Sequence, residues 1–301
     1  MNKLLILLTG LFMLQIAETN AQLPNVASGK IERYADFKSA VIETRNVDVW
    51  LPVDYSPSKK YAVLYMHDGQ MLFDSAATWN KQEWHVDETV SNLIAEGKIM
   101  DCIVVGIWNN GIYRHADYFP QKPLADLPAS VRDTLIKNEL QGKPRSDAYL
   151  QFIVSELKPF IDKTYSTYTD KAHTFIAGSS MGGLISMYAI CEYPEIFGGA
   201  ACISTHWPGS IHAEKDIIPD AFLKYLQQHL PSPADHKIYF DYGTATLDQL
   251  YEPYQLKVDV IMQAKNYTTT NWQTKKFEGE NHSEESWSKR LFIPLIFLMA
   301  K

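Results

Sequence analysis

From Tyr61 onward the chain alternates between two kinds of segment, and this alternation limits its fold more than any other feature. Short runs of β-branched and apolar residues occur at YAVLYM (61–66), CIVVGI (102–107), AHTFIAG (172–178), GGAACIS (198–204) and KIYFDYG (237–243). Between them lie stretches whose apolar residues have helical spacing, among them WHVDETVSNLIAEG, DAYLQFIVSELKPFID and LISMYAICEY. Each strand must then return to the same sheet through a helix, which predicts an α/β fold with a mostly parallel sheet covered on both faces. Two earlier strands, KIERYADF and NVDVWLP, have nothing helical between them and predict an antiparallel start. With a last strand at QTKKFEG, the sheet has about eight strands in all.

Residues 1–21 stand apart. Lys3 gives a positive start, LLILLTGLFMLQI is an apolar stretch too short to span a bilayer, and small residues precede Gln22. This pattern predicts a cleaved signal peptide and a secreted or periplasmic mature protein. Residues 22–301 are then a single domain. The net charge of −7 is unchanged by cleavage, since Lys3 and Glu18 leave together. With no basic run, nothing points to nucleic acid or to a membrane surface as partner. Cys102, Cys191 and Cys202 all lie in apolar runs and read as buried small hydrophobes, not as disulfides or metal ligands. One segment interrupts the alternation. Residues 121–146 carry three prolines and are longer than a connection needs, which predicts an insertion over the sheet edge, a candidate lid.

The stretch FIAGSSMGG contains Gly178-Ser179-Ser180-Met181-Gly182, a G-x-S-x-G pattern between a buried strand and a helix. In that context the serine stands on a sharp turn with its hydroxyl exposed, and the N–H of the next residue, Met181, faces the oxygen of a tetrahedral intermediate. Such a serine needs a base and an orienting carboxylate, which in this arrangement follow in the order Ser, Asp or Glu, His. Beyond His236 the chain has one histidine, His282, in a loop between the last strand and the last helix. For the acid, Asp248 lies beyond the end of strand 237–243 and is favoured, with Asp241 inside the strand as the alternative. A second oxyanion donor is expected after strand 61–66, where Gly69 lets the backbone approach a substrate and the N–H of Gln70 follows. His67 and Asp68 are adjacent residues and do not make a metal site. No cofactor is required.

The combination of MHDGQMLFD, VVGIWNNGIYRHADYFP, GSSMGG, FDYGTATLDQLYEP and GENHSEESW resembles the esterase D-like ("Putative esterase") family of α/β hydrolases, over residues of about 30 to 300. That family includes feruloyl and acetylxylan esterases and enterobactin-type siderophore esterases. The resemblance implies the α/β-hydrolase fold, Ser180 as nucleophile, His282 as base, and the N–H groups of Gln70 and Met181 as oxyanion hole. The family's usual acid position corresponds to Thr246, and here the carboxylate comes two residues later. The resemblance also implies substrate contacts for Arg114 and Tyr118. Trp108, Tyr113, Tyr118 and Trp207 follow strand ends, which predicts an aromatic rim to the pocket, with Trp207 among the substrate-binding residues. The expected function is that of a secreted serine carboxylesterase acting on a small-molecule or saccharide ester, feruloyl, acetyl or siderophore in kind. An acyltransferase and a noncatalytic binding protein on the same fold are the alternatives.

Overall fold

The structure, a computed structural model, describes residues 23–301 except Lys215. The expected signal peptide therefore lies outside the described residues. The strands are β1 (Lys30–Phe37), β2 (Arg45–Leu51), β3 (Ala62–His67), β4 (Cys102–Ile107), β5 (Thr174–Ser179), β6 (Gly199–Ile203), β7 (Lys237–Gly243) and β8 (Trp272–Phe277). They form one sheet in the order β1-β2-β4-β3-β5-β6-β7-β8. β2 pairs antiparallel with both β1 and β4, and every other pairing is parallel. The helices are α1 (Val86–Ala95), α2 (Arg114–Tyr118), α3 (Ala129–Asn138), α4 (Ser146–Phe152), α5 (Lys158–Thr164), α6 (Met181–Glu192), α7 (Ile217–His229), α8 (Glu252–Ala264), α9 (Glu284–Ser288) and α10 (Phe292–Met299). This is the α/β-hydrolase architecture that the motifs imply.

Strands β3 to β6 are buried along their whole length, which explains their unbroken apolar sequence. Their side chains alternate between two cores. Val63, Tyr65, Ile103 and Val105 pack toward α4, α6 and α7, whereas Leu64, Met66 and Val104 pack toward α1 and α10. Because the parallel strands run one way, the segments that follow β3, β5, β6, β7 and β8 all emerge at the same edge of the sheet. That edge carries the site.

The helix expected over 147–162 runs from Ser146 to Thr164, with one widened π-turn at Ile153–Leu157 just ahead of Pro159, which has no N–H for the helical ladder. Residues 121–146 form a 3₁₀ turn (Lys122–Asp126) and α3, with Leu124, Leu127, Leu135 and Leu140 buried. Lys224 on α7 pairs with Asp126, and Ser210 Oγ donates to Glu139 Oε1 at 2.6 Å. The segment is docked against α7 and the 208–214 loop by its leucines and these bonds, and none of its residues lines the cleft that holds Ser180.

Candidate active site

β5 ends at Ser179 and α6 begins at Met181, so the chain reverses through a single residue. Ser180 has φ 58° and ψ −123°, a conformation non-glycine residues rarely adopt, at a cost of about 1–3 kcal/mol. Hydrogen bonds to the neighbouring strand hold it there: Ser180 N–H donates to Ile203 O at 2.9 Å, and His206 N–H donates to Ser180 O at 3.1 Å. Gly178 is required because a Cβ there would stand 2.8 Å from the Gly182 carbonyl, and Gly183 because a Cβ would stand 2.9 Å from Ile203 O. The Ser180 side chain is half-buried and lies close enough to act on the buried phenol of Tyr251.

His282 sits in the turn between β8 and α9. Its N–H donates to Thr246 Oγ1 at 2.9 Å, so the residue at the family's usual acid position holds the histidine's backbone instead. Its Nδ1 is 2.5 Å from Asp248 Oδ1. The ring is packed edge-on by Trp287 (centroids 4.9 Å apart) and Tyr251 (5.8 Å).

Asp248 is fully buried in the 3₁₀ turn Thr246–Leu250. Its Oδ2 accepts from Gly243 N–H at 2.6 Å and from Ser204 Oγ at 2.5 Å. Burial pushes the carboxyl up, but the hydrogen bonds from His282, Ser204 and Gly243 together hold it below the usual carboxylate range. As an ionised acceptor it fixes the proton on Nδ1 of His282, leaving Nε2 as the basic nitrogen.

Asp241 is buried within β7 and faces Arg290, whose Nε and Nη2 donate at 3.1 and 2.9 Å; Ser204 N–H and Tyr239 O–H complete its shell. It does not reach His282. Of the two candidate acids, Asp248 is the one the fold brings to the imidazole.

On the opposite wall, the 3₁₀ turn Gly69–Met71 follows β3. A Cβ on Gly69 would stand 2.5 Å from the Gly106 carbonyl carbon, so only glycine lets this turn press against β4. Gln70 and Met181 both occupy the first turn of a helical segment, where backbone N–H groups have no acceptor within the helix. Gln70, Ser180 and His282 line one cleft of about 530 Å³, together with Arg114, Asn109, Asn80, Gln82 and Glu284.

Arg114 reaches this cleft with its charge already paired, its Nε and Nη2 each 2.7 Å from the two oxygens of Asp68. Tyr118 and Trp207 do not line it. Tyr118 is fully buried beneath Arg114, with its hydroxyl 3.3 Å from Asp68 N–H, and Trp207 is buried with its Nε1 bonded to Gln255 Oε1 at 3.0 Å. Both large side chains fill core space below the strand ends, which corrects their assignment to substrate binding. Trp108 and Tyr113 are taken up by Arg33 and Arg145. The aromatic lining comes instead from Trp79, which is 84% exposed, and from Trp84 and Trp287. His67 is buried against Tyr149, and burial pulls its pKa down to about 3. Among the described residues no group of three or more His, Cys, Asp or Glu side chains could hold a metal ion.

A strained serine on a strand–helix elbow, a histidine after the last strand and a buried carboxylate in the required chain order define an α/β hydrolase. The chain belongs to the family described as "Esterase: Putative esterase", whose model matches residues 39–298. It is 25% identical over 172 residues to the uncharacterized protein YjcH of Bacillus subtilis, covering 57% of this chain and 60% of that protein. It is 26% identical over 216 residues to an endo-1,4-beta-xylanase/feruloyl esterase of Xylanibacter ruminicola, covering 67% of this chain and 24% of that one. The chain thus spans less than two thirds of the length of these curated relatives. Its fold is that of the CE1 ferulic acid esterase of Anaeromyces mucronatus, solved with ferulic acid, at a TM-score of 0.63 and 20% identity over 91% of this chain and 92% of that one. Among the described residues no helix is long and apolar enough to cross a membrane.

Proposed function

We propose that the protein is a serine carboxylesterase. Ser180 Oγ attacks the ester carbonyl carbon while its proton passes to Nε2 of His282, and Asp248 stabilises the imidazolium through Nδ1–H. The N–H groups of Gln70 and Met181 hold the oxyanion. Collapse of the tetrahedral intermediate breaks the C–O bond, and His282 returns the proton to the leaving alcohol. Water, deprotonated by the same imidazole, then releases the acid from the acyl-serine. The observation that carries this reading is the 2.5 Å bond between a fully buried Asp248 and His282, which lines one cleft with Ser180.

The substrate is an ester with a flat or saccharide portion, of the feruloyl or acetyl-saccharide kind. The support is the cleft itself, where the exposed indole of Trp79 stands beside the amides of Asn80, Gln82 and Asn109, above the stacked pair Trp84–Trp287. Indole faces pack against rings and amides bond to hydroxyls. The names of the Xylanibacter and Anaeromyces relatives point the same way. A panel of feruloyl-saccharide, acetyl-saccharide, siderophore and simple aryl esters, compared by kcat/KM, tests it. Preference for the saccharide esters is expected, and equal or better turnover of the siderophore ester would overturn the substrate assignment. The protein acts outside the cytoplasm after cleavage before Gln22. N-terminal sequencing of protein from the native host checks this, and an intact Met1 start in the cytosol would contradict it.

A further inference from the structure

We propose that Ser204 is a positioning residue for the catalytic acid: its hydroxyl, oriented by Arg290 and Trp287, locks Asp248 as an acceptor and reserves one carboxylate oxygen for His282. This rests on the triad described above and adds a residue to it.

Ser204 follows β6, is fully buried, and has φ 41°. Its own N–H donates to Asp241 Oδ1 at 3.1 Å, which anchors the backbone. Its Oγ receives two hydrogen bonds, from Trp287 Nε1–H at 3.0 Å and from Arg290 Nη2–H at 2.9 Å. Indole and guanidinium groups can only donate. Both lone pairs of the hydroxyl are therefore occupied, and its single proton has one acceptor left, Asp248 Oδ2 at 2.5 Å. A hydroxyl that elsewhere would rotate is fixed in one sense.

Two consequences follow for Asp248. Its Oδ2 is filled by Ser204 O–H and Gly243 N–H, so only Oδ1 faces the imidazole. Moreover, the positive charge of Arg290 reaches the carboxylate through a polarised hydroxyl and not by direct contact. A guanidinium bonded directly to Asp248 would compete with His282 for it. Asp241 prevents that by engaging two nitrogens of Arg290. Trp287 links the parts, since the indole that donates to Ser204 also packs against the His282 ring.

The test uses the full chain with Ser204→Gly, which suits a positive φ, and Trp287→Phe, which keeps a ring beside His282 but frees one lone pair of Ser204. Circular dichroism and a thermal melt establish that each is folded. For Ser204→Gly we expect kcat lower by about ten- to a hundredfold, the range for losing a hydrogen bond to a charged group, with KM within about twofold. The acidic limb of kcat/KM should move to higher pH, because a carboxylate with one donor fewer holds the imidazole proton more firmly. The substitution leaves the other charged or titratable neighbours of His282 in place, namely Tyr251, His206, Arg114 and Glu284. Trp287→Phe should move both quantities in the same directions by less. Native kcat in folded Ser204→Gly, or a lower kcat with an unmoved limb, would overturn the proposal. Asp248→Asn is measured alongside: if it keeps native kcat, the triad itself fails, which is a different result from failure of Ser204's role.

Discussion

Asp241 and Asp248 emerge from the same strand–loop unit, and neither side chain meets solvent. One ends against Arg290, the other against His282. A guanidinium keeps its proton throughout the working pH range, so the Asp241 pair is a fixed tie between β7 and the segment before α10. An imidazole can take up a proton and give it back, so the Asp248 pair can take part in a reaction cycle. The two environments also act differently on the carboxyls. Burial raises Asp241 against the opposing pull of Arg290, whereas the three hydrogen bonds at Asp248 outweigh its burial. What separates the structural acid from the proposed catalytic one is the partner, not the depth.

That contrast breaks most visibly in activity. Asp248→Asn should lower kcat by about 10⁴-fold with KM little changed, because an amide no longer fixes the imidazole tautomer. Steady-state kinetics with an aryl ester, beside a thermal melt, measure it. Asp241→Asn should do the reverse. The folded enzyme keeps kcat within severalfold, but leaving Arg290 buried without its counter-charge costs about 3–5 kcal/mol in chemical denaturation. If Asp241→Asn is inactive and stable while Asp248→Asn is active, the two roles are exchanged.

A third buried carboxyl sharpens the contrast, because among the described residues its partners are backbone N–H groups and a second carboxyl, with no cation among them. Asp87 accepts from Ala27 N–H at 2.7 Å and Ser28 N–H at 3.2 Å, and burial together with the neighbouring Glu88 pushes it up to about 7. Its folded value exceeds the ordinary carboxyl value of about 3.9, so the folded chain holds an extra proton between the two. The stability this contributes is complete below about pH 4 and is lost as pH rises through about 7. Asp87→Asn cannot titrate. Its Tm relative to the parent should therefore rise between about pH 4.5 and pH 7.5, by a few degrees at most. A difference independent of pH would contradict the assignment.

The sheet was legible because strands buried on both faces must be written in unbroken apolar residues, as at CIVVGI and GAACI. That Ser180 and His282 meet in one cleft was legible from chain order. The choice between Asp241 and Asp248 was weaker, because it depends on where Arg290 goes, and nothing local to either aspartate records that. Ser204 and Tyr251 carry no motif; they matter only because β6, β7 and α9 meet. The aromatic residues misled in a consistent way. An aromatic at a strand end can point into the pocket or into the core below it, and Tyr118 and Trp207 take the core. Those that do face the cleft, Trp79, Trp84 and Trp287, come from connecting segments distant in the chain. The long helix was legible from its apolar spacing, and the missing N–H of Pro159 was visible, but its accommodation by a π-turn was not.

The central claim is that Ser180 is the nucleophile of this site, and covalent capture tests it most directly. Intact-protein mass spectrometry after reaction with a fluorophosphonate should show a single adduct on the parent chain. Ser180→Ala, with the same fold by circular dichroism, should show none and lose at least about 10³-fold in ester turnover. An adduct that persists on Ser180→Ala, or turnover that survives the substitution, would contradict the account.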